Sequence, residues 1–196
     1  MLTLVVSLVA GGAVERAYRV GKIEILLYNG SALILRDGNA TGLILERMSD
    51  SNLDYLYSYM MTRGIIEVDT IIILDENEVD MASVEAVFSG GRVYNFNDTD
   101  EAIIDVGEIS VDVEGDCVII KTKGKTVVFA KSDSDLLELA DSVVLWQSAD
   151  RYLDKSYQNV ICYEDLKGGE SAVLRYGFSK HVEFLIGEDY FRTRIR

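Results

Sequence analysis

"VDTIIILDENEVDMAS", residues 68–83, contains the transition that decides how this chain folds. Residues 68–74 end in the apolar run Ile71 to Leu74, which is typical of a strand covered on both faces. The run ends abruptly in the acidic stretch 75–80, and an amphipathic segment follows it. Functional sites of α/β proteins commonly lie where strands deliver polar side chains to the edge of a sheet. The stretch therefore predicts a strand, a charged loop and a helix, with a candidate site in the loop.

The composition indicates one folded, acidic domain. The chain has 196 residues, 48% of them hydrophobic and 27% charged, and it contains no proline. Nineteen Lys and Arg residues stand against 33 Asp and Glu residues, which gives a net charge of −14. Such a field repels phosphate backbones, so we expect no strong direct nucleic-acid binding by the domain.

The carboxyl-terminal stretch "YFRTRIR" is the basic exception. Its period of two places Arg192, Arg194 and Arg196 on one face of a strand. The simpler interpretation is a charged edge strand that prevents association with other strands. A local basic strip is the alternative.

Few residues are available for metal or nucleophilic chemistry. Cys117 and Cys162 lie in separate apolar runs, which predicts buried free thiols. His181 is the only histidine, so every zinc centre that needs two or three imidazoles is excluded, and a structural role is favoured for this residue. The chain contains neither a G-x-S-x-G elbow nor a glycine-rich phosphate loop.

The amino terminus is apolar but short. Leu2 to Val14 carry no charge, yet this stretch is shorter than the ~20 residues that span a bilayer. It also lacks the basic start of a signal peptide. A buried first strand, an interfacial segment and the end of a transmembrane helix all remain open. We treat residues 1–20 as an apolar N-terminal segment and residues 21–196 as one domain.

Hydrophobic periodicity predicts strands and helices in a repeating order. The first half predicts strands at 22–29, 32–38, 41–47 and 68–74 and helices at 52–63 and 79–88. The second half predicts strands near 108–113, 117–122, 125–130, 142–146, 158–163, 171–176, 181–186 and 189–195 and helices near 133–140 and 150–156. Hairpins followed by strand–helix–strand units, twice over, predict an α+β fold with two sheets packed face to face and helices outside.

This order resembles the metallo-β-lactamase fold, a four-layer αββα sandwich. Local sequence motifs resemble those of the C-terminal domain of ComEC-type competence proteins, which are membrane proteins that form a DNA-uptake channel. The D-V-G-Q-G-D-A-[IL]-[LI]-I signature of that family is similar to "LLYNGSALIL" (26–35), and its L-[IL]-I-D-G-G to "LILERM" (43–48). Its R-G-I-x-x-[IL]-D is similar to "YMMTRGIIEVDTIIIL" (59–74). The resemblance extends from about residue 22 to 176.

The same resemblance locates the metal-binding positions of the family. The family's L-T-H-x-H-x-D-H-I-G-G is similar to 74–83, its aspartate-ending strand to 115–133, and its A-D-V-L-K-V-P-H-H-G-S to 140–150. In this alignment only the aspartates are retained, and the histidines are replaced. The vestigial metal-site positions are Glu76, Glu78, Asp80, Met81, Asp133, Gln147 and Ser148.

These replacements predict a catalytically inactive domain. Zinc hydrolases of this fold hold the metal with imidazoles and carboxylates so that bound water loses a proton near pH ~7. A thioether and an amide are poor substitutes, so we expect no zinc and no other cofactor. The resemblance implies a structural or recognition role beside the membrane-embedded channel region of the same protein, in a domain that is membrane-associated or lies at the extracytoplasmic face of a bacterial membrane. No oligomeric state is predicted.

Two alternatives remain open. In the first, Glu76, Glu78, Asp80 and Asp133 converge on Mg²⁺ or Mn²⁺, and the domain is a divergent hydrolase or nuclease. In the second, the chain is a stand-alone soluble cytoplasmic binding protein without a link to DNA. Hydrophobic helices encoded upstream of Met1 would favour the channel hypothesis.

Overall fold

The fold was determined from a computed structural model. It describes residues 21–96, 103–149, 159–163, 174–177 and 180–196. The predicted N-terminal segment and the helix predicted near 150–156 lie outside these residues. Neither α-helix in the described part of the chain is long and apolar enough to cross a membrane.

Strands are the main regular structure of the described residues. The strands are β1 (Ile23–Tyr28), β2 (Ala32–Asp37), β3 (Ala40–Leu45), β4 (Thr70–Ile73), β5 (Arg92–Asn95), β6 (Ile103–Val106), β7 (Ile109–Glu114), β8 (Cys117–Thr122), β9 (Lys125–Ala130), β10 (Ser142–Leu145), β11 (Val160–Tyr163), β12 (Leu174–Tyr176), β13 (Val182–Ile186) and β14 (Phe191–Ile195). The helices are α1 (Asp50–Thr62), α2 (Met81–Val87) and a 3-10 turn, Asp135–Leu139.

Two seven-stranded sheets result. Sheet 1 has the order β14-β13-β1-β2-β3-β4-β5, and sheet 2 has the order β12-β11-β10-β9-β8-β7-β6. In each sheet an antiparallel part continues into parallel strands: β3, β4 and β5 are parallel in sheet 1, and β9, β10, β11 and β12 in sheet 2. The prediction of an α+β fold with two sheets is confirmed.

Local sequence explains where the elements of sheet 1 begin and end. The turn between β2 and β3 contains Gly38, whose φ of +59° is in the left-handed region that favours glycine. Helix α1 buries Leu53, Leu56 and Met60 at helical spacing and ends before Gly64, which has a φ of +69°. These features agree with the predicted hairpin and helix.

Two apolar cores hold the layers together. The larger core lies between the sheets and includes side chains of both, such as Ile25, Leu35, Ile120 and Phe129. The smaller core lies between sheet 1 and helices α1 and α2. Because β4 contributes Ile72 to the first core and Ile71 and Ile73 to the second, it is covered on both faces, as its apolar sequence predicts.

The sequence prediction missed two strands and misjudged one helix. β5 and β6 are short outermost strands with several exposed residues, so neither shows a continuous apolar run or a complete alternation. The helix predicted at 133–140 is only a five-residue 3-10 turn, capped by Ser134, whose hydroxyl accepts a hydrogen bond from Leu136 N at 3.3 Å.

Both cysteines lie in the interior, and the single histidine packs between aromatic rings. Cys117 and Cys162 are buried and form no disulfide bond, as predicted, and burial raises the pKa of the Cys117 thiol. His181 lies immediately before β13, and its ring stacks on Tyr28 at 4.9 Å between centroids. The ring of Tyr59 lies 4.8 Å from it. Burial lowers the pKa of His181, and the charge of Arg63 lowers it further.

The pKa of His181 predicts a pH-dependent loss of stability. Below its unfolded pKa of ~6.5, the unfolded chain takes up a proton on His181 that the folded chain resists until its lower pKa is reached. The free energy of unfolding of the wild type should therefore fall, relative to that of His181→Phe, as the pH decreases through this window. Urea denaturation of both proteins measures the difference.

No other histidine complicates the comparison, because the chain has only this one. Phenylalanine keeps the ring that contacts Tyr28 and Tyr59 but cannot be protonated. Parallel pH profiles of the two proteins would show that His181 does not titrate differently in the folded state.

Candidate functional site

Two acidic residues of the loop after β4, Glu76 and Glu78, have separate partners. Glu76 Oε2 accepts a hydrogen bond from Asn95 Nδ2 at 2.6 Å, which connects the loop to β5. Glu78 Oε2 lies 3.3 Å from Arg47 Nε, and both side chains are at least half exposed. The two carboxylates therefore interact with different neighbours.

Asp80 and Met81 begin α2. Asp80 is the N-cap residue: its carboxylate accepts hydrogen bonds from Ala82 N at 3.1 Å and Ser83 Oγ at 2.8 Å. The hydrogen bond from Ser83 lowers the pKa of Asp80. Met81 is the first residue of α2 and packs against the core between the helices and sheet 1. Both residues thus have ordinary helix-start functions.

Asp133 lies beyond the end of a strand of sheet 2. It follows β9 by three residues and is partly buried. Within the ranges that the structure describes, no three His, Cys, Asp or Glu side chains form a group that could hold one metal ion. The Mg²⁺ or Mn²⁺ alternative requires several carboxylates to meet at one ion. The structure does not bring three of its four residues together in this way: Glu76, Glu78, Asp80 and Asp133.

The structure does bring Gln147 and Ser148 into contact with sheet 1. Gln147 N donates a hydrogen bond to Gly30 O at 3.1 Å. Ser148 Oγ donates one to Glu46 Oε1. Because Gly30 lies in the β1–β2 turn and Glu46 directly follows β3, these bonds join the two sheets at one edge of the sandwich.

Glu46 and Lys131 complete this junction, and the sequence analysis missed both. Glu46 is only 2% exposed, and its Oε1 lies 3.3 Å from Lys131 Nζ. Its other oxygen, Oε2, has no hydrogen-bond partner among the described residues. We call Gly30, Glu46, Lys131, Gln147 and Ser148 the rim cluster.

A sequence signal for this pair exists. Glu46 directly follows the apolar stretch "LIL" at the end of β3, and Lys131 directly follows "VVFA" at the end of β9. Opposite charges thus stand at the carboxyl ends of two buried strands. Only the packing of sheet 1 on sheet 2 makes them neighbours, so the pattern could suggest the pair but not establish it.

Gly30 allows the close approach at the rim cluster. Its φ is +68°, and a Cβ added there would lie 2.7 Å from Gln147 Cβ and 3.2 Å from the Tyr176 hydroxyl. Tyr176 is buried and donates its hydroxyl hydrogen to Leu145 O at 2.9 Å. Burial raises the pKa of Tyr176, and the negative charge of Glu46 contributes to the rise. The phenol therefore remains a hydrogen-bond donor.

The chemistry of the rim cluster is that of a buried ion pair. Lys131 supplies the positive charge that a buried carboxylate requires, and the Ser148 hydroxyl supplies a hydrogen bond to the same oxygen. A metal ion at this carboxylate would have to compete with the ammonium group. The arrangement therefore fits a structural junction better than a hydrolytic centre.

Neither a scan of protein-family models nor a search of curated proteins finds a match for the chain. The resemblance to ComEC-type domains thus rests on the sequence motifs given above.

The Glu46–Lys131 ion pair predicts that loss of the lysine lowers the free energy of unfolding more than loss of the carboxylate. Lys131→Met leaves a buried carboxylate without its counter-charge and should lower the free energy of unfolding by about 2 kcal/mol or more. Glu46→Gln should cost less, because Lys131 is partly exposed and water can solvate it. The double variant should recover part of the loss, and urea denaturation measures all three.

Lys125→Met is the matched control for this series. Lys125 also pairs with a carboxylate, Asp141, at 3.1 Å, but both side chains are more than a third exposed. Its removal should cost less than about 1 kcal/mol. Equal losses for the two lysine variants would contradict the buried ion pair.

The close approach of Gly30 to Gln147 predicts that alanine destabilises the protein more at Gly30 than at Gly38. Gly30→Ala should destabilise the protein by about 3 kcal/mol, because the left-handed backbone and the clash with Gln147 both oppose a Cβ. Gly38→Ala also has a positive φ, but nothing lies within 4 Å of its added Cβ, so about 1 kcal/mol is expected. If thermal unfolding shows similar losses, the contact between the sheets at Gly30 is not tight.

Proposed function

We propose that this chain is a catalytically inactive metallo-β-lactamase-type domain of a ComEC-type DNA-uptake protein. In this proposal it has a structural or recognition role beside the membrane-embedded channel region, at the extracytoplasmic face of a bacterial membrane. It requires no zinc or other cofactor, and it does not itself bind DNA strongly.

The architecture supports the fold part of the proposal. Two seven-stranded sheets pack face to face, and α1 and α2 cover the outer face of sheet 1. These layers correspond to three of the four layers of an αββα sandwich. The connections in sheet 1, a meander followed by two strand–helix–strand units, also agree with that architecture.

The Glu46–Lys131 pair carries the proposal of inactivity. It lies beside Ser148, at the edge where the family would assemble its metal centre from loops of both sheets. The protein's own ammonium group neutralises the most buried carboxylate of this edge. The remaining acidic positions, Glu76, Glu78 and Asp80, are engaged in a loop contact, a surface ion pair and a helix cap.

A gene-replacement experiment tests the proposal. In the native host, deletion of the gene should abolish uptake of fluorescent duplex DNA. A Glu76→Gln/Asp133→Asn variant should restore uptake fully, because no metal is needed. A Gly30→Ala/Lys131→Met variant should restore it poorly, because it weakens the junction between the sheets. The purified wild type should bind none of Zn²⁺, Mn²⁺, Mg²⁺ or Ca²⁺ with an increase in melting temperature.

Glu85→Gln/Asp105→Asn serves as the control, since it changes the net charge equally at two exposed positions. Stoichiometric Mn²⁺ or Mg²⁺ that is lost with Glu76→Gln/Asp133→Asn, together with loss of uptake, would establish the metal-dependent alternative instead. Unchanged uptake after deletion of the gene would remove the link to DNA.

A further inference from the structure

A group of basic side chains lies at the opposite end of β2 from the rim cluster. A cavity of about 440 Å³ opens on the helix-covered side of sheet 1, between β14, β13, β1, β2 and the end of α1. Gly38, in the β2–β3 turn, lines it, whereas Gly30 of the rim cluster lies in the turn at the other end of β2. We call it the basic cavity.

Strand register explains why charged side chains gather there. Arg194 is directly opposite Glu183, and Arg192 is opposite Leu185, so these four side chains project to one face. Glu24 of β1 is opposite the same Leu185. Arg36 of β2 is in turn opposite Glu24, which extends the row to a third and a fourth strand.

The lining has a surplus of positive charge in a chain that is strongly acidic. Six basic and two acidic side chains line the basic cavity, whereas the whole chain has a net charge of −14. The basic side chains are Lys22, Arg36, Arg63, Arg192, Arg194 and Arg196. The lining therefore contains three times as many basic as acidic side chains.

The two carboxylates are already engaged by the inner arginines. Arg63 Nη2 contacts Glu24 Oε1 and donates to Glu183 Oε1 at 2.6 Å. Arg196 Nε lies 3.1 Å from Glu183 Oε2, and Arg36 Nη1 lies 3.8 Å from Glu24 Oε2. Burial alone would raise the pKa of Glu183, but its contacts with these cations lower it, so the Glu183 carboxylate acts as a negative charge that holds Arg63 and Arg196 in place.

Arg192 and Arg194 lie further out, and neither forms an ion pair with a carboxylate of a residue that the structure describes. Arg194 is exposed and forms no ion pair with a described residue, although Glu183 is directly opposite, because Arg63 and Arg196 engage that carboxylate. Arg192 lies with its guanidinium 5.7 Å from the centroid of the Tyr190 ring. This cation–π contact helps to position the Arg192 side chain.

Edge protection does not account for the whole arrangement. A charged edge strand needs only the arginines of β14. The basic cavity also includes Arg36 on an interior strand and Arg63 at the end of α1, held by two largely buried carboxylates. A concave site built from four strands and a helix end indicates recognition of a ligand.

We propose that the basic cavity binds a small ligand with at least two phosphoryl groups. Guanidinium groups bind phosphate oxygens through paired hydrogen bonds, and the excess of basic over acidic side chains in the lining favours an anion with more than one charge. The volume is within the range of small-molecule sites. The acidic surface elsewhere disfavours a long nucleic acid and favours a compact anion that fits inside the cavity.

Calorimetric titration of the purified chain with pyrophosphate, at constant ionic strength, tests the proposal. We expect one site, with binding weakened at least about tenfold by Arg192→Gln/Arg194→Gln, because both side chains donate charge-assisted hydrogen bonds. Both residues are exposed, so the variant should keep the melting temperature of the wild type. Arg92→Gln/Lys121→Gln removes two exposed charges elsewhere and should bind pyrophosphate as the wild type does.

Three further probes separate the ligand classes. Citrate has a charge similar to that of pyrophosphate but no phosphoryl group, so it should bind more weakly. Equal binding of citrate, or equal weakening by both double variants, would overturn the proposal. Binding of a twelve-residue thymidylate oligomer with no binding of pyrophosphate would overturn it as well, in favour of an extended nucleic acid.

Discussion

The carboxylate of Glu46, directly after β3, is almost completely shielded from water. A charge in that position requires an opposite charge from another residue of the chain. Lys131, at the end of β9, provides the match from the other sheet. The contact thus constrains how far apart the two sheets lie at this edge and which strand ends face each other. Gly30 and Gln147 depend on the same spacing, because their backbones approach to 3.1 Å. The packing of the two sheets at this edge consequently depends on the contacts of the rim cluster.

Much of the fold follows from sequence patterns that operate over short distances. The apolar run of β4, the hairpin turn at Gly38 and the buried face of α1 are all local, and each was predicted within a few residues. β5 and β6 were missed because outermost strands need only one partner and tolerate polar, exposed residues. Pairing with β4 imposes the strand conformation of β5, and β6 forms a hairpin with β7 that its own four residues do not reveal.

The candidate site was less predictable for the same physical reason. The acidic stretch 75–80 is conspicuous in the sequence, but Glu76, Glu78 and Asp80 each contact a different neighbouring residue and do not form a shared site. Glu46 and Lys131 are inconspicuous single charges 85 positions apart, and only the packing of the sheets gives them meaning. Gln147 and Ser148 were singled out through the family resemblance, and the structure places both in the rim cluster.

The two charged regions of the molecule differ in how their charges are balanced, and this difference bears on function. At the rim cluster one carboxylate faces one ammonium, so the charges cancel within the chain and an external ion gains little by entering. In the basic cavity the carboxylates are already used to hold Arg63 and Arg196, and further arginines remain at the opening. A surplus of like charges in a concave site raises the free energy of the unliganded protein, and an anion relieves it. The proposed loss of a metal centre at the rim cluster is therefore compatible with the proposed binding of an anion in the basic cavity, because the two regions balance their charges separately.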